Sequence, residues 1–290
     1  MKFWQSLSFA EPEQLVDIAQ IAEEVGFHGV LMSDHLFFPK TLDSTYPYSD
    51  DGVPVFTAET PFPDALLTIA AMASVTRTLQ FSTIVYILPL RHPLEVAKQC
   101  ATLAILSGDR FALGVGSGWM KEEFETLEID FKKRGRRYDE MLEIMRGLWD
   151  DGEIEYRGEH FDFDALAMQP QPVKPIPVYV GGASGPALRR AARTGDGWIG
   201  PGSTPEEVPA LLARLDGFRV DYGRGDVDFE NFVPLAAPPD VDLFKRMRDA
   251  GVDSTVSYPF NYALGPASSL DDKRRLLEQF AENFIRPLSS

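Results

Sequence analysis

The sequence predicts a (β/α)8 barrel, the TIM-barrel architecture, as a single α/β domain over residues 1–290. Eight short apolar runs alternate with helical patterns along the chain. No linker or internal repeat divides them, and the last helical pattern ends almost at the terminus. An open, doubly wound sheet would show the same alternation, but the count closes at eight, which favours the barrel.

Lys2 to Phe9 carries the aromatic and β-branched weight of a first strand. Glu11-Pro12-Glu13 then opens an amphipathic helix (Leu15, Ile18, Ala19, Ala22, Val25) that stops at Gly26. Gly29-Val30-Leu31-Met32 is a second, buried strand ending in Ser33-Asp34-His35. The loop Leu36 to Pro63, rich in Pro, Asp, Tyr and Thr, is far longer than a βα connection needs, and such length signals a lid or substrate loop. A helix begins at Asp64, and Leu79 to Leu88 is strand three. Pro93 sits in the first turn of the helix Leu94 to Leu106. Strand four starts at Arg110 and runs into Gly114, Gly116 and Gly118.

A long segment follows strand four, from Trp119 to Pro177. It reads as an irregular polar stretch to Gly135, a helix from Arg136 to Trp149 and a hairpin from Ile154 to Phe163. Pro170, Pro172, Pro175 and Pro177 straighten the chain into strand five, Val178 to Gly182. Then come the helix Ala187 to Arg193, strand six at Asp196 to Gly200 and the helix Pro205 to Tyr222. A weaker strand seven at Phe232 to Ala236 precedes the helix Val241 to Ala250. Strand eight at Thr255 to Tyr258 and the helix Leu270 to Phe284 close the pattern.

Composition narrows the function. Cys100 is the one cysteine, so no disulfide forms within the chain and a reducing compartment is expected. The N-terminal residues lack the basic and apolar regions of a secretion signal, and no apolar run approaches a membrane span. A soluble cytoplasmic protein is the expectation. A net charge of −16 disfavours nucleic acid and anionic membrane as partners, which leaves a small-molecule substrate.

In a (β/α)8 barrel the active site lies at the C-terminal ends of the strands. Asp34-His35, Ile84 to Leu88, Gly114 to Trp119, Gly181 to Ser184 and Gly200 to Gly202 all fall there. A histidine at that position can exchange a proton, with the neighbouring carboxylate tuning it; the plainer role is a loop cap. Gly116 and Ser117 belong to neither a Gly-x-Gly-x-x-Gly nor a Gly-x-Ser-x-Gly motif; glycines there either let a ligand approach the backbone or simply make a tight strand-to-helix turn. Gly181-Gly182-Ala183-Ser184 before a helix offers N–H groups for a phosphate, or simply a loop and N-cap. Lys132, Lys133, Arg134, Arg136 and Arg137 form either a solvated helix start or a contact for an anionic tail. His28, His35, His92 and His160 lie too far apart for a metal motif, so no metal is expected.

Together these pieces resemble the luciferase-like monooxygenase superfamily, and more closely its coenzyme F420-dependent oxidoreductases. The marks are Ala22-Glu23-Glu24-Val25-Gly26-Phe27 with Ser33-Asp34-His35, and Leu88-Pro89-Leu90-Arg91-His92-Pro93 with Ala97-Lys98-Gln99. To these add Leu106 to Phe111 running into Gly114-Val115-Gly116-Ser117-Gly118-Trp119, then Val180 to Ser184 and Gly195-Asp196-Gly197-Trp198. The resemblance implies a barrel with an insertion after strand four, a homodimer and a deazaflavin or flavin held across the barrel mouth. It implies that Asp34 and His35 lie beside the ring with His35 as proton carrier. It also implies that a non-proline cis peptide at Ile84-Val85 buttresses the ring face and that Gly181 to Ser184 holds the phosphate. Many relatives carry Gly or Ser where this chain has Ile84. The sugar-phosphate dehydrogenase branch carries Glu where this chain has Trp119, so that branch's acid is missing.

The activity expected is hydride transfer between coenzyme F420 and a small organic substrate. The alternatives are an FMN-dependent monooxygenase and a non-catalytic barrel that binds a ligand or partner. Arg91 and Lys132 to Arg137 are the cations expected to meet the anionic tail of F420.

Overall fold

Eight parallel strands close on themselves in the computed structural model, which describes residues 1–288; Ser289 and Ser290 of the predicted domain lie outside the described residues. The strands are β1 Lys2–Ser6, β2 Gly29–Met32, β3 Gln80–Thr83, β4 Phe111–Gly116, β5 Val178–Gly181, β6 Gly197–Ile199, β7 Glu230–Phe232 and β8 Ser254–Ser257. Around the ring they run β3-β2-β1-β8-β7-β6-β5-β4, and β3 pairs with β4 to close it, with Phe81 opposite Phe111. The architecture is the (β/α)8 barrel that the alternation predicts.

The helices are α1 Leu15–Val25, α2 Ala65–Val75, α3 Pro93–Ser107, α4 Lys121–Thr126, α5 Arg134–Asp150, α6 Gly185–Thr194, α7 Val208–Asp221, α8 Val241–Asp249, α9 Phe260–Leu264 and α10 Leu270–Phe280. Local chemistry sets several of their ends. Asp64 caps α2 by accepting from the Leu67 N–H, and Gly26 ends α1 in the left-handed region at φ 96°. The main core lies between strands and helices, where Ile18, Ile69, Val96, Leu148 and Leu188 are buried. A smaller cluster of Trp4, Leu31, Ile199 and Phe232 plugs the barrel interior, and Ile84, Val85, Tyr179 and Val256 pack on it. The Trp4 indole donates to Ser254 Oγ at 3.0 Å. Gly114 has no substitute in this wall, because a Cβ there would stand 1.9 Å from the Thr83 carbonyl oxygen.

The structure differs from the sequence reading at several places. The first strand ends at Ser6 rather than Phe9. Strand three stops at Thr83, turns at Ile84-Val85 and resumes as Tyr86–Ile87 against β4. The polar stretch after Trp119 contains α4, whose face is mostly acidic and therefore shows no apolar periodicity. Strand seven is Glu230–Phe232 rather than Phe232 to Ala236, since Pro234 lacks the N–H a strand needs. The closing helix gives way to a π-helical turn over Ala281–Ile285. The hairpin of the insertion is present, pairing Glu153–Arg157 with Asp162–Ala167. No helix among the described residues is long and apolar enough to cross a membrane.

Glu23 at the end of α1 ties that helix to the start of β3. Its Oε1 accepts from the N–H groups of Arg77, Thr78 and Leu79 at 2.6–2.9 Å. Burial alone would raise this carboxyl, but those N–H groups hold it down at about 2. The folded value lies below the unfolded one, so the bonds stabilise fully above about pH 4.3 and lose that contribution as pH falls toward 2. Glu23→Gln is expected to lower the melting temperature near neutrality and to flatten its acid-induced decline, read as Tm against pH for both proteins.

Candidate active site

The C-terminal ends of the strands surround a cavity of about 1210 Å³, large beside the ~300–1,000 Å³ of ordinary small-molecule sites. Asp34, His35, Ile84, Val85, Gly116, Ser117, Gly181, Gly182, Ala183 and Ser184 all line it. Residues up to 150 positions apart in the chain thus share one site, as a barrel mouth allows.

His35 follows β2 and points into this cavity. Its Nδ1 lies 3.1 Å from Oε2 of Glu123, whose side chain is fully buried on α4. The other Glu123 oxygen accepts from the Leu36 N–H at 2.8 Å. With the carboxylate accepting on both oxygens, the imidazole proton is assigned to Nδ1, and Nε2 is left with no hydrogen bond among the described residues. The arrangement gives a histidine of set tautomer whose free nitrogen can accept or return a proton.

The carboxylate on His35 is therefore Glu123 rather than its neighbour Asp34. Asp34 is committed to Arg91, which donates to both of its oxygens at 2.6 and 2.7 Å, while the Ile87 N–H donates to Oδ2 at 2.9 Å. Burial alone would lower the Arg91 guanidinium, and the charge of Asp34 holds it above its ordinary value. Arg91 serves this buried pair and is not a cation reserved for a ligand tail. The pair locks the end of β2 to the segment after β3.

The peptide between Ile84 and Val85 is cis. Its two side chains cap the interior plug and face the cavity, so they form the floor. Gly116 and Gly181 flank Val85 so closely that a Cβ at either would come within 2.6 or 2.8 Å of its methyls.

On the far side, Gly182 holds φ 108°, which suits glycine alone. Its own N–H is spent on the Ile199 carbonyl, and its carbonyl accepts from the Trp198 indole at 2.7 Å. The free donors of this turn are thus the N–H groups of Ala183, Ser184 and Gly185, which have no partner among the described residues and stand at the start of α6. Ser184 Oγ caps the helix by accepting from the Ala187 N–H.

Arg214 on α7 also lines the cavity, with its Nη2 3.1 Å from where a Cβ of Gly185 would stand. It makes no ion pair among the described residues and rests over Phe218. Sequence reasoning missed it, because an arginine on an amphipathic helix looks like a solvated surface residue. The basic cluster is used otherwise. Lys133 and Arg136 pair with Glu159 of the hairpin, and Arg137 donates to the carbonyls of Pro89 and Arg91. Of that cluster Arg134 reaches the cavity.

The long loop forms the remaining wall. Tyr46, Tyr48, Phe56 and Phe62 join Phe9 and Trp119 around His35, whose ring lies 5.0 Å from Phe56 and 5.3 Å from Phe62. Burial pushes the Tyr46 phenol up to about 12, so it stays neutral. Glu122 pins the loop by accepting from the N–H groups of Asp43 and Ser44 and from Ser44 Oγ. Adjacent glutamates of α4 thus hold the lid and the histidine.

A deazaflavin or flavin with a phosphate arm fits these residues. The floor offers an apolar ledge for a ring, and the turn offers an anion three free N–H groups, a positive helix end and a guanidinium. Among the described residues no group of three or more His, Cys, Asp or Glu is placed to hold a metal ion.

Comparison with known proteins finds a matching family model and relatives over nearly the whole chain. The model of the family described as luciferase-like monooxygenase matches residues 3–276. An uncharacterized protein of Mycobacterium tuberculosis is 39% identical over 287 residues, covering 98% of this chain and 99% of its own. An F420-dependent glucose-6-phosphate dehydrogenase of Gordonia bronchialis is 34% identical over 195 residues, 65% of this chain and 53% of its own. Among solved structures, a monooxygenase of Streptomyces bottropensis superposes with a TM-score of 0.77 at 20% identity, covering 99% of this chain and all of its own, a likeness of fold.

Proposed function

Because the chain belongs to the luciferase-like monooxygenase family, we propose that it is an oxidoreductase moving a hydride between coenzyme F420 and a small organic substrate. The observation that carries this reading is His35, with one ring nitrogen tied to buried Glu123 and the other open to a cavity that has an apolar floor and an anion cradle. The F420-dependent relative supports the choice of cofactor. When bound, the deazaflavin supplies or accepts the hydride.

The chain's own residues do the rest. Ala183, Ser184, Gly185 and Arg214 hold the phosphate, Ile84 and Val85 support the ring, and Asp34-Arg91 keeps that floor in register with β2. His35 Nε2 takes the proton of a substrate hydroxyl or returns one to a carbonyl. The aromatic loop excludes water from the reacting atoms. The homodimer expected from the resemblance stays part of this proposal, and the molar mass in solution tests it.

Removing the cationic partner of a bound phosphate costs about 1.5–3 kcal/mol, so Arg214→Gln is expected to weaken F420 binding by roughly 10- to 100-fold, read by titration. The activity itself is tested by incubating the protein with oxidised F420 and a panel of alcohols, and with reduced F420 and the matching ketones. Bleaching or recovery of the deazaflavin absorbance is the expected result. Oxygen consumption with reduced FMN, and none of that change with F420, would make the FMN monooxygenase the better reading.

A further inference from the structure

A second cavity lies behind the barrel wall, between β8 and the helices α8, α9 and α10. Its volume is about 180 Å³, and it shares no lining residue with the mouth. Strand alternation puts it outside the barrel. Ser254 faces inward, where its hydroxyl accepts from the Trp4 indole, so Thr255 and Ser257 of the same strand turn toward the helices.

The rear wall is aromatic and held in place. Phe244 of α8 packs edge-on against Phe3 and Phe284 at 5.1 and 5.7 Å, and Phe280 of α10 lies 5.0 Å from Phe284. Leu276, one turn before Phe280 on the same helix face, and buried Leu235 extend the apolar lining. The gap is left by small residues. Ala237 after β7 is half-buried and Ala263 on the five-residue α9 is exposed, and they stand at the outer edge where larger side chains would fill the space.

Polar groups along this lining are few, and most are committed. Thr255 Oγ1 donates to the Val233 carbonyl at 2.9 Å, and the Tyr258 hydroxyl donates to the Leu235 carbonyl. Ser257 Oγ has no hydrogen-bond partner among the described residues. No Asp, Glu, Lys, Arg or His among the described residues lines the cavity, so an ion would shed its hydration there without a counter-charge. Water fares little better. A bound water needs about two to four polar partners, and this lining offers one free side chain, whereas a Leu/Ile/Phe-lined cavity of roughly 150 Å³ stays dry and holds benzene.

We infer that this cavity is a second binding site, separate from the barrel mouth, for a neutral single-ring molecule whose one hydroxyl pairs with Ser257 Oγ. A simple phenol has this chemistry. The ring lies against Phe244, Phe280 and Leu276, and the hydroxyl turns to the strand. The site is independent of the hydride-transfer reading, since none of its residues touches the mouth.

Three probes of similar size test it: 4-fluorophenol, fluorobenzene and anionic 4-fluorobenzoate. Each is titrated into the full chain, with affinity read by 19F NMR and location by the methyl NMR shifts of Leu235 and Leu276 against those of Ile84 and Val85 in the mouth. The phenol is expected to bind saturably, to move the Leu235 and Leu276 methyls, and to bind at least ~10-fold more tightly than benzoate. Ser257→Ala should weaken the phenol about 5-fold, the worth of one neutral hydrogen bond, and leave fluorobenzene unmoved. Ala263→Leu, which narrows the entrance from an exposed position, should weaken both. The thermal melt of each variant shows that it is folded. No saturable shift at Leu235 and Leu276, or shifts at Ile84 and Val85 in their place, overturns the inference. So does benzoate binding as tightly as the phenol. Phenol binding unmoved by folded Ser257→Ala or Ala263→Leu also overturns it.

Discussion

His35→Ala is expected to lower turnover by roughly 10² to 10⁴ while F420 affinity moves no more than a few-fold, because general acid–base groups contribute on that scale and the ring does not belong to the anion cradle. The substitution also removes a member of the aromatic wall, so His35→Gln, which keeps most of the volume and cannot shuttle a proton, is the necessary companion. Both should fail alike. Measuring kcat beside the Kd of F420 for each variant separates proton transfer from binding. Turnover at the wild-type rate would reduce His35 to a loop cap.

Glu123→Gln is the second large effect. A glutamine keeps an acceptor for the Leu36 N–H but turns a donor toward Nδ1, which forces the imidazole proton onto Nε2. Nε2 could then no longer accept from a substrate hydroxyl. A wrong tautomer in a hydrogen-bonded histidine–carboxylate pair lowers catalysis by up to about 10⁴, and a loss of at least ~10² is expected here. The 15N shifts of His35 report the tautomer directly, so a role limited to packing would leave them unmoved. An unchanged tautomer with reduced turnover would assign Glu123 to holding the lid. Glu123→Ala should do more damage, since it also strands the Leu36 N–H and frees the loop that Glu122 pins from the next position.

The barrel was legible because its signals are local and repeated. Asp64, Pro93 and Gly26 announce helix ends by side-chain or backbone chemistry that acts within one turn. That Asp34 and His35 line the barrel mouth was legible for the same reason, since a strand end in this architecture is a place in the mouth. Their partners were not. Glu123 lies 88 positions from His35 in a stretch without apolar period, and nothing but the closed fold brings it there. Arg91 and Asp34 each looked available, and their mutual pairing follows only from the approach of β2 to the segment after β3. The cis bond at Ile84-Val85 was expected from resemblance and is present in the structure; no propensity at those two residues announces it. The basic cluster shows the opposite error. Five cations close in sequence suggested a common ligand, yet the hairpin's Glu159 takes two of them, and a lone arginine on α7 stands at the turn instead.

The claim that this barrel works with F420 is tested most directly by equilibrium binding of F420 and FMN to the same preparation across a range of salt. F420 carries a phosphodiester and a carboxylate tail beyond its ring, so on a chain of net charge −16 it depends on Arg214 and Arg134 at the rim. Exposed charge contacts are screened over about 10 Å at 0.1 M ionic strength. F420 should therefore bind more tightly than FMN, weaken more steeply as salt rises, and lose that steepness in Arg214→Gln. Tighter binding of FMN, or F420 affinity indifferent to Arg214, would contradict the account.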